Sequence, residues 1–267
     1  MLLTRKGLWK CIIFTAIYFI LGSIAMAAGI LSLLILFDPN LLFLGLFCYL
    51  CCPLVYFYIR YREGKAKLIR KGYDFIHRKL KPAEFIRYYQ DLRYNCDLVI
   101  DRADMEVLNV LVLAYDLLDR REEALATADE AIATAPEKKK RYAKLLKVSL
   151  LFCYGMTEEA EAQFSVLREG KLDLMSTGIV DVIMKSDRAI AMGDYKTAEC
   201  YYQNQLSNAF PKPTNAVKLV DHYWLGVVYE KIQEPEKAVP HYRYCLEHGG
   251  ETAIKAAAAT ALDRLRQ

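Results

Sequence analysis

Residues 221–245 read DHYWLGVVYEKIQEPEKAVPHYRYC. The stretch is a helix–turn–helix unit, with Leu225 and Tyr229 one turn apart on the first helix and Ala238 and Tyr242 one turn apart on the second. The same pattern recurs upstream. Ala124, Ala160, Ala198 and Ala238 are followed four residues later by Ala128, Phe164, Tyr202 and Tyr242. Tyr115 and Tyr229 stand nine residues before the first and last of these alanines, and Gly155 and Gly193 fall five residues before the middle two. The anchors lie 36, 38 and 40 residues apart. A period in this range signals a helical solenoid. A small alanine lets the neighbouring helix approach, the aromatic fills the space beside it, and each pair buries its apolar face by stacking on the next.

Leu108, Leu111, Val112 and Tyr115 follow helical spacing, and Glu122–Thr134 places Ala124, Ala128 and Ala131 on one face before Pro136 ends it. At the C-terminal end, Gly249-Gly250 breaks the chain and Ile254, Ala257, Ala258, Ala261, Leu262 and Leu265 make one apolar stripe. That stripe is the capping helix a solenoid needs. The predicted fold is all-α, with about four to five helix pairs over 105–267 and a cap at 251–267. A connecting basic helix and a degenerate first pair occupy 63–104, with Phe85 and Tyr89 in the alanine and aromatic places.

These residues resemble the tetratricopeptide repeat family. Leu225, Gly226, Tyr229, Ala238 and Tyr242 occupy its L, G, Y, A and aromatic positions at the family's spacing, with Cys245 where a small residue usually stands. The unit at 105–138 matches through Tyr115, Ala124, Ala131 and Pro136, and the two middle units keep the alanine, the aromatic and the turn glycine. The resemblance implies a concave groove lined by first helices that holds a peptide or helix of a protein partner. Position by position, that groove includes Glu106, Asn109, Asp116, Leu117, Tyr142, Leu145, Phe152, Ile183, Asp187, Tyr223, Val227 and Glu230. Members that grip chaperone tails use lysine, asparagine and arginine there. This chain has Asn109 but lacks the basic residues, so such docking is not expected. The face is apolar and acidic, which suits a segment with basic and aromatic residues.

The N-terminal part reads differently. Residues 11–37 and 41–59 contain no charged side chain, and Asp38-Pro39-Asn40 between them is a turn signal. Each run is long enough to span a bilayer as a helix, so the sequence predicts a transmembrane hairpin over 1–62. The alternative for the first run is a signal peptide cleaved near Ala25-Met26-Ala27. Ala25 and Gly29, with Ser23 and Ala27, form a small-residue stripe suited to packing the spans together or to homo-oligomerisation. Residues 1–71 carry nine Lys/Arg against two acids. The whole chain is +4, which leaves residues 72–267 at −3. The basic residues flank the apolar runs, which predicts a multi-pass protein of a plasma membrane, bacterial by its lack of an organelle signal, with both termini cytoplasmic. The acidic body argues against nucleic acid as a partner.

The chain contains no H-E-x-x-H, G-x-G-x-x-G, phosphate loop or G-x-S-x-G pattern, and its eight cysteines show no zinc spacing with the four histidines. No cofactor, metal or catalytic residue is expected. The reading that follows is a membrane-anchored scaffold without catalysis, which holds a partner in its groove. The alternative is an accessory subunit of a larger membrane enzyme, transporter or secretion complex, contacted through the hairpin.

Overall fold

The computed structural model describes residues 9–10, 12–24, 39–95, 104–208 and 212–266. All regular structure among them is helical. The chain divides into two compact units. One comprises residues 1–68 and 88–101, the other 69–87 and 102–267.

In the first unit, residues 12–24 form helix α1, and α2 (Pro39–Tyr73) begins there. The Phe14 and Tyr56 rings stack with centroids 4.6 Å apart. The expected transmembrane hairpin is not what the described residues form. Among them no helix is long and apolar enough to cross a membrane. The second apolar run does not end as a separate span. It is part of a 35-residue helix that continues through Arg60, Arg62, Glu63, Lys65, Lys67, Arg70 and Lys71. The expected fold is therefore corrected to all-α without the hairpin, and the expected multi-pass plasma-membrane location falls with it. Residues 25–38, which carry the predicted turn start, cleavage site and most of the small-residue stripe, lie outside the described residues, as do 96–103 of the degenerate first pair.

The second unit is a helical solenoid of four pairs and a cap. The pairs are α4 (Met105–Asp116) with α5 (Arg121–Thr134), α6 (Glu137–Cys153) with α7 (Thr157–Leu167), α8 (Leu174–Lys185) and α9 (Asp187–Ala191) with α10 (Tyr195–Asn208), and α11 (Asn215–Lys231) with α12 (Pro235–His248). The cap is α13 (Ala253–Arg264), which packs on α12 and α11. Several first helices start where a side chain caps them. Asp104 accepts from the Glu106 amide at 3.0 Å and Asp173 from the Ser176 amide at 2.9 Å, while Thr214 takes that place at α11.

The four aligned alanines, Ala124, Ala160, Ala198 and Ala238, are all completely buried. Their aromatic partners Phe164, Tyr202 and Tyr242 are buried with them. The turn before each alanine is also the same. Asp119, Gly155, Gly193 and Gln233 adopt φ of 55°, 76°, 76° and 62°. The residue after each donates back to the first helix: Arg120 to Tyr115, Met156 to Leu151, Asp194 to Ala189 and Glu234 to Tyr229, at 2.8–2.9 Å. This six-to-one bond closes a helix through a left-handed residue. Two of the four turns do so without glycine.

The solenoid also closes on itself. The Ala253 amide at the start of α13 donates to the Leu117 carbonyl at 2.8 Å, and the Glu251 amide donates to the Leu80 carbonyl at 2.9 Å. Residues 74–81 lie against the last pair, with His77 Nδ1 3.0 Å from Thr214 Oγ1 and Asn215 Nδ2 donating to the Arg78 carbonyl at 2.8 Å. At this junction Gly250 has φ +57°, and a Cβ there would come within 2.6 Å of Leu80. Gly72 is pressed between Val110 and Phe85 of helix α3 (Pro82–Gln90) in the same way, which draws residues 69–87 onto α4.

Candidate functional site

The first helices of all four pairs and the cap surround one cavity of about 480 Å³. Its wall comes from the ends of α4 and α6, the α8–α9 junction, α10, α11 and α13, with His77 at one edge. Four acids line it: Asp116, Asp119, Asp187 and Asp221, of which Asp119 is paired with Arg121 at 2.7 Å. Around them stand Tyr154, Tyr201, Tyr202, Tyr223 and Trp224.

Each of Asp116, Asp187 and Asp221 is placed by a distinct local device. Asp116 is the last residue of α4, and its Oδ1 accepts from the Tyr154 hydroxyl at 2.8 Å. Burial raises the Asp116 carboxyl above its ordinary pKa, with the tyrosine bond working against that rise. Asp187 is the first residue of α9, immediately after the chain breaks at Ser186 (φ −115°, ψ −86°). The break turns its carboxylate toward α6, where the Ser149 hydroxyl donates to Oδ2. Ser186 Oγ lies 3.1 Å from Oδ1. Burial pushes the Asp187 carboxyl up to about 6, and the hydrogen bonds from Ser149, Ser186 and Cys153 partly offset it. Asp221 lies in the middle of α11, in line with Leu225 and Val228 on the buried stripe, and is only 5% exposed. Its Oδ2 is buried without a hydrogen-bond partner, and burial pushes its carboxyl up to about 7.

The neighbouring groups register these charges. Tyr201 is pushed up to about 12 by burial, then by Asp221 and Asp187. Cys153 is raised by burial, then by Asp187 and Asp116. The basic side chains lining the cavity already have partners. Arg121 pairs with Asp119 at 2.7 Å and His77 meets Thr214. Among the described residues, no three His, Cys, Asp or Glu side chains could together hold a metal ion.

Of the residues expected in the groove, Asp116, Asp187, Tyr223 and Leu117 line this cavity. Phe152, Leu145 and Ile183 do not. They form the apolar core between α6, α7 and α8 with Phe164, because α6 is an inner helix buried on two faces. Glu106 pairs with Lys139 at 2.8 Å, away from the cavity lining. Glu230 accepts from Arg264 of the cap at 2.6 Å. Asn109, Tyr142 and Val227 are half-buried and outside the lining. Position matching overlooked Asp221, Tyr154, Tyr201 and Trp224. For Asp221 the sequence held a signal, an acid on a helix stripe that is otherwise apolar.

No protein-family model, curated protein sequence or solved structure matches the chain.

Proposed function

We propose that the chain is a protein-binding module of the tetratricopeptide kind. Its concave cavity holds a partner segment that carries basic and aromatic side chains. The observation that carries this reading is the convergence of Asp116, Asp187 and Asp221 with five aromatic rings on one cavity of about 480 Å³, inside the curve of the solenoid. Buried carboxylates are costly unless something pairs with them. A basic segment supplies that pairing, and the rings supply flat apolar surface for its aliphatic and aromatic parts. The resemblance of 221–245 to the repeat family points to the same concave face.

The test is fluorescence anisotropy with the full chain and three labelled dodecapeptides, one rich in arginine and tyrosine, one in serine and tyrosine, and one in glutamate and tyrosine. The expected result is capture of the basic peptide alone, weakened as salt rises from 50 to 500 mM. Replacing Tyr223 with alanine should weaken it about tenfold, since an interface aromatic contributes on the order of 1–2 kcal/mol. Equal binding of all three peptides, or of none, overturns the reading.

A further inference from the structure

We infer that the partner segment enters the cavity on an arginine, whose guanidinium seats between Asp187 and Asp221. This rests on the peptide-binding reading above and names the group that the site selects.

Asp221 supplies the first reason. It is 5% exposed, and its Oδ2 has no hydrogen-bond partner. A buried acceptor left open in this way is rare in folded proteins, and a donor from outside would complete it.

The arrangement of the acids supplies the second. Asp187 and Asp221 line the same cavity, together with Tyr201 and Tyr202. Among the described residues the two acids belong to no group of three or more side chains that could hold a metal ion. A point cation bound at one would leave the other unpaired. A guanidinium carries five N–H donors in a rigid plane and can reach acceptors on two sides. An ammonium is more compact and more strongly hydrated, so it is harder to bury and spans less.

The walls supply the third. Tyr201, Tyr223 and Trp224 line the same cavity, and arginine stacks on aromatic faces more readily than lysine does. Neither Asp187 nor Asp221 has a lysine, arginine or histidine paired with it among the described residues: Asp187 meets only neutral donors such as Ser149 and Ser186, and Asp221 Oδ2 meets none.

The experiment uses the full chain and a fluorescein-labelled decapeptide of alanine and tyrosine with one central arginine. Its twins carry citrulline or lysine at that position. Citrulline keeps the shape of arginine and removes the charge. Arginine is expected to bind at least tenfold tighter than citrulline and severalfold tighter than lysine. In Asp221→Asn the arginine preference should shrink to within twofold, with binding of the citrulline twin unchanged. Asp187→Asn repeats the comparison from the other side of the site, and thermal unfolding of both variants confirms that they fold. If the three peptides bind equally and Asp221→Asn alters none of them, the arginine anchor is overturned while the groove still binds peptide. If no peptide binds at all, the groove reading fails and the anchor fails with it.

Discussion

Asp187 and Asp221 face the same cavity from neighbouring pairs, and the chain treats them differently. The third pair breaks its first helix at Ser186 and sets Asp187 at the new N-terminus, beside the hydroxyls of Ser149 and Ser186. The fourth pair keeps α11 unbroken over 17 residues, Asn215–Lys231, and Asp221 finds no partner along it. The carboxyl on the broken helix is pushed up to about 6, the one on the continuous helix to about 7. The frame around them is the same, since Ala198 and Ala238 are both completely buried and Gly193 and Gln233 make equivalent left-handed turns. The second helices and turns hold the repeat together, and the first helices are free to carry charge. Breaking a helix gives a buried acid local donors. Keeping it straight leaves the Asp221 Oδ2 atom without a donor.

The strongest way to break this comparison is at the rigid end of the fourth pair. A Cβ on Gly226 would lie 2.6 Å from the ring of Tyr242, which is 1% exposed and has no room to retreat. Gly226→Val should cost about 3 kcal/mol or more and lower the urea midpoint sharply. A change under about 0.5 kcal/mol would show that α11 and α12 are not locked there.

Titration sharpens the comparison next. A carboxyl whose pKa is raised on folding holds a proton that the unfolded chain has already released. The native state therefore binds more protons between about pH 4 and pH 7, and stability falls as pH rises through that window before levelling off. Asp221 is expected to contribute a fall of about 2–4 kcal/mol, and Asp187 a smaller one ending near pH 6. Asp221→Asn should remove the larger part and be more stable than the parent at pH 8. Chemical denaturation at pH 5 and pH 8 measures both. A flat profile in the parent would mean that Asp221 is not buried as described.

A smaller effect separates the broken helix from the straight one. Ser149→Ala removes the donor to Asp187 and should cost on the order of 1–2 kcal/mol at pH 8. The loss should shrink at pH 5, where more of that carboxyl is protonated. The same loss at both pH values would assign the effect to packing instead.

The smallest effect concerns the turns. Gln233 holds φ 62° where Gly155 and Gly193 stand in the equivalent turns at 76°. Gln233→Gly should stabilise the protein by about 0.5–1 kcal/mol by relieving a left-handed side chain. Destabilisation would show that Gln233 earns its place through contacts of its own.

Much of the solenoid was legible in the sequence. Four alanines and the aromatics that follow three of them defined the period, and every one of those alanines is fully buried. The turns at Asp119 and Gln233 were hidden, because a left-handed φ is signalled by glycine and these positions have none. The break at Ser186 was hidden too, since its apolar spacing runs on through the junction. The N-terminal reading failed for a different reason. An uncharged run shows where a helix is apolar but not where it stops, and α2 continues without a break from Pro39 through the basic stretch to Tyr73. In the site, matching to repeat positions found Asp116, Asp187 and Tyr223 but also drew in Phe152, which packs inward. It passed over Asp221, whose chemistry rather than position marks it.

The bond from Ala253 to Leu117 joins the last element of the solenoid to the first pair, and Glu251 to Leu80 repeats the join one step away. An open repeat array unfolds piecemeal, because each unit answers only to its neighbours. Here the two ends answer to each other. Fraying of α13 exposes the first pair, and loss of residues 74–81 loosens the last. The array is therefore expected to melt as one cooperative body, and inserting or deleting a pair is expected to part the ends that meet at Leu117.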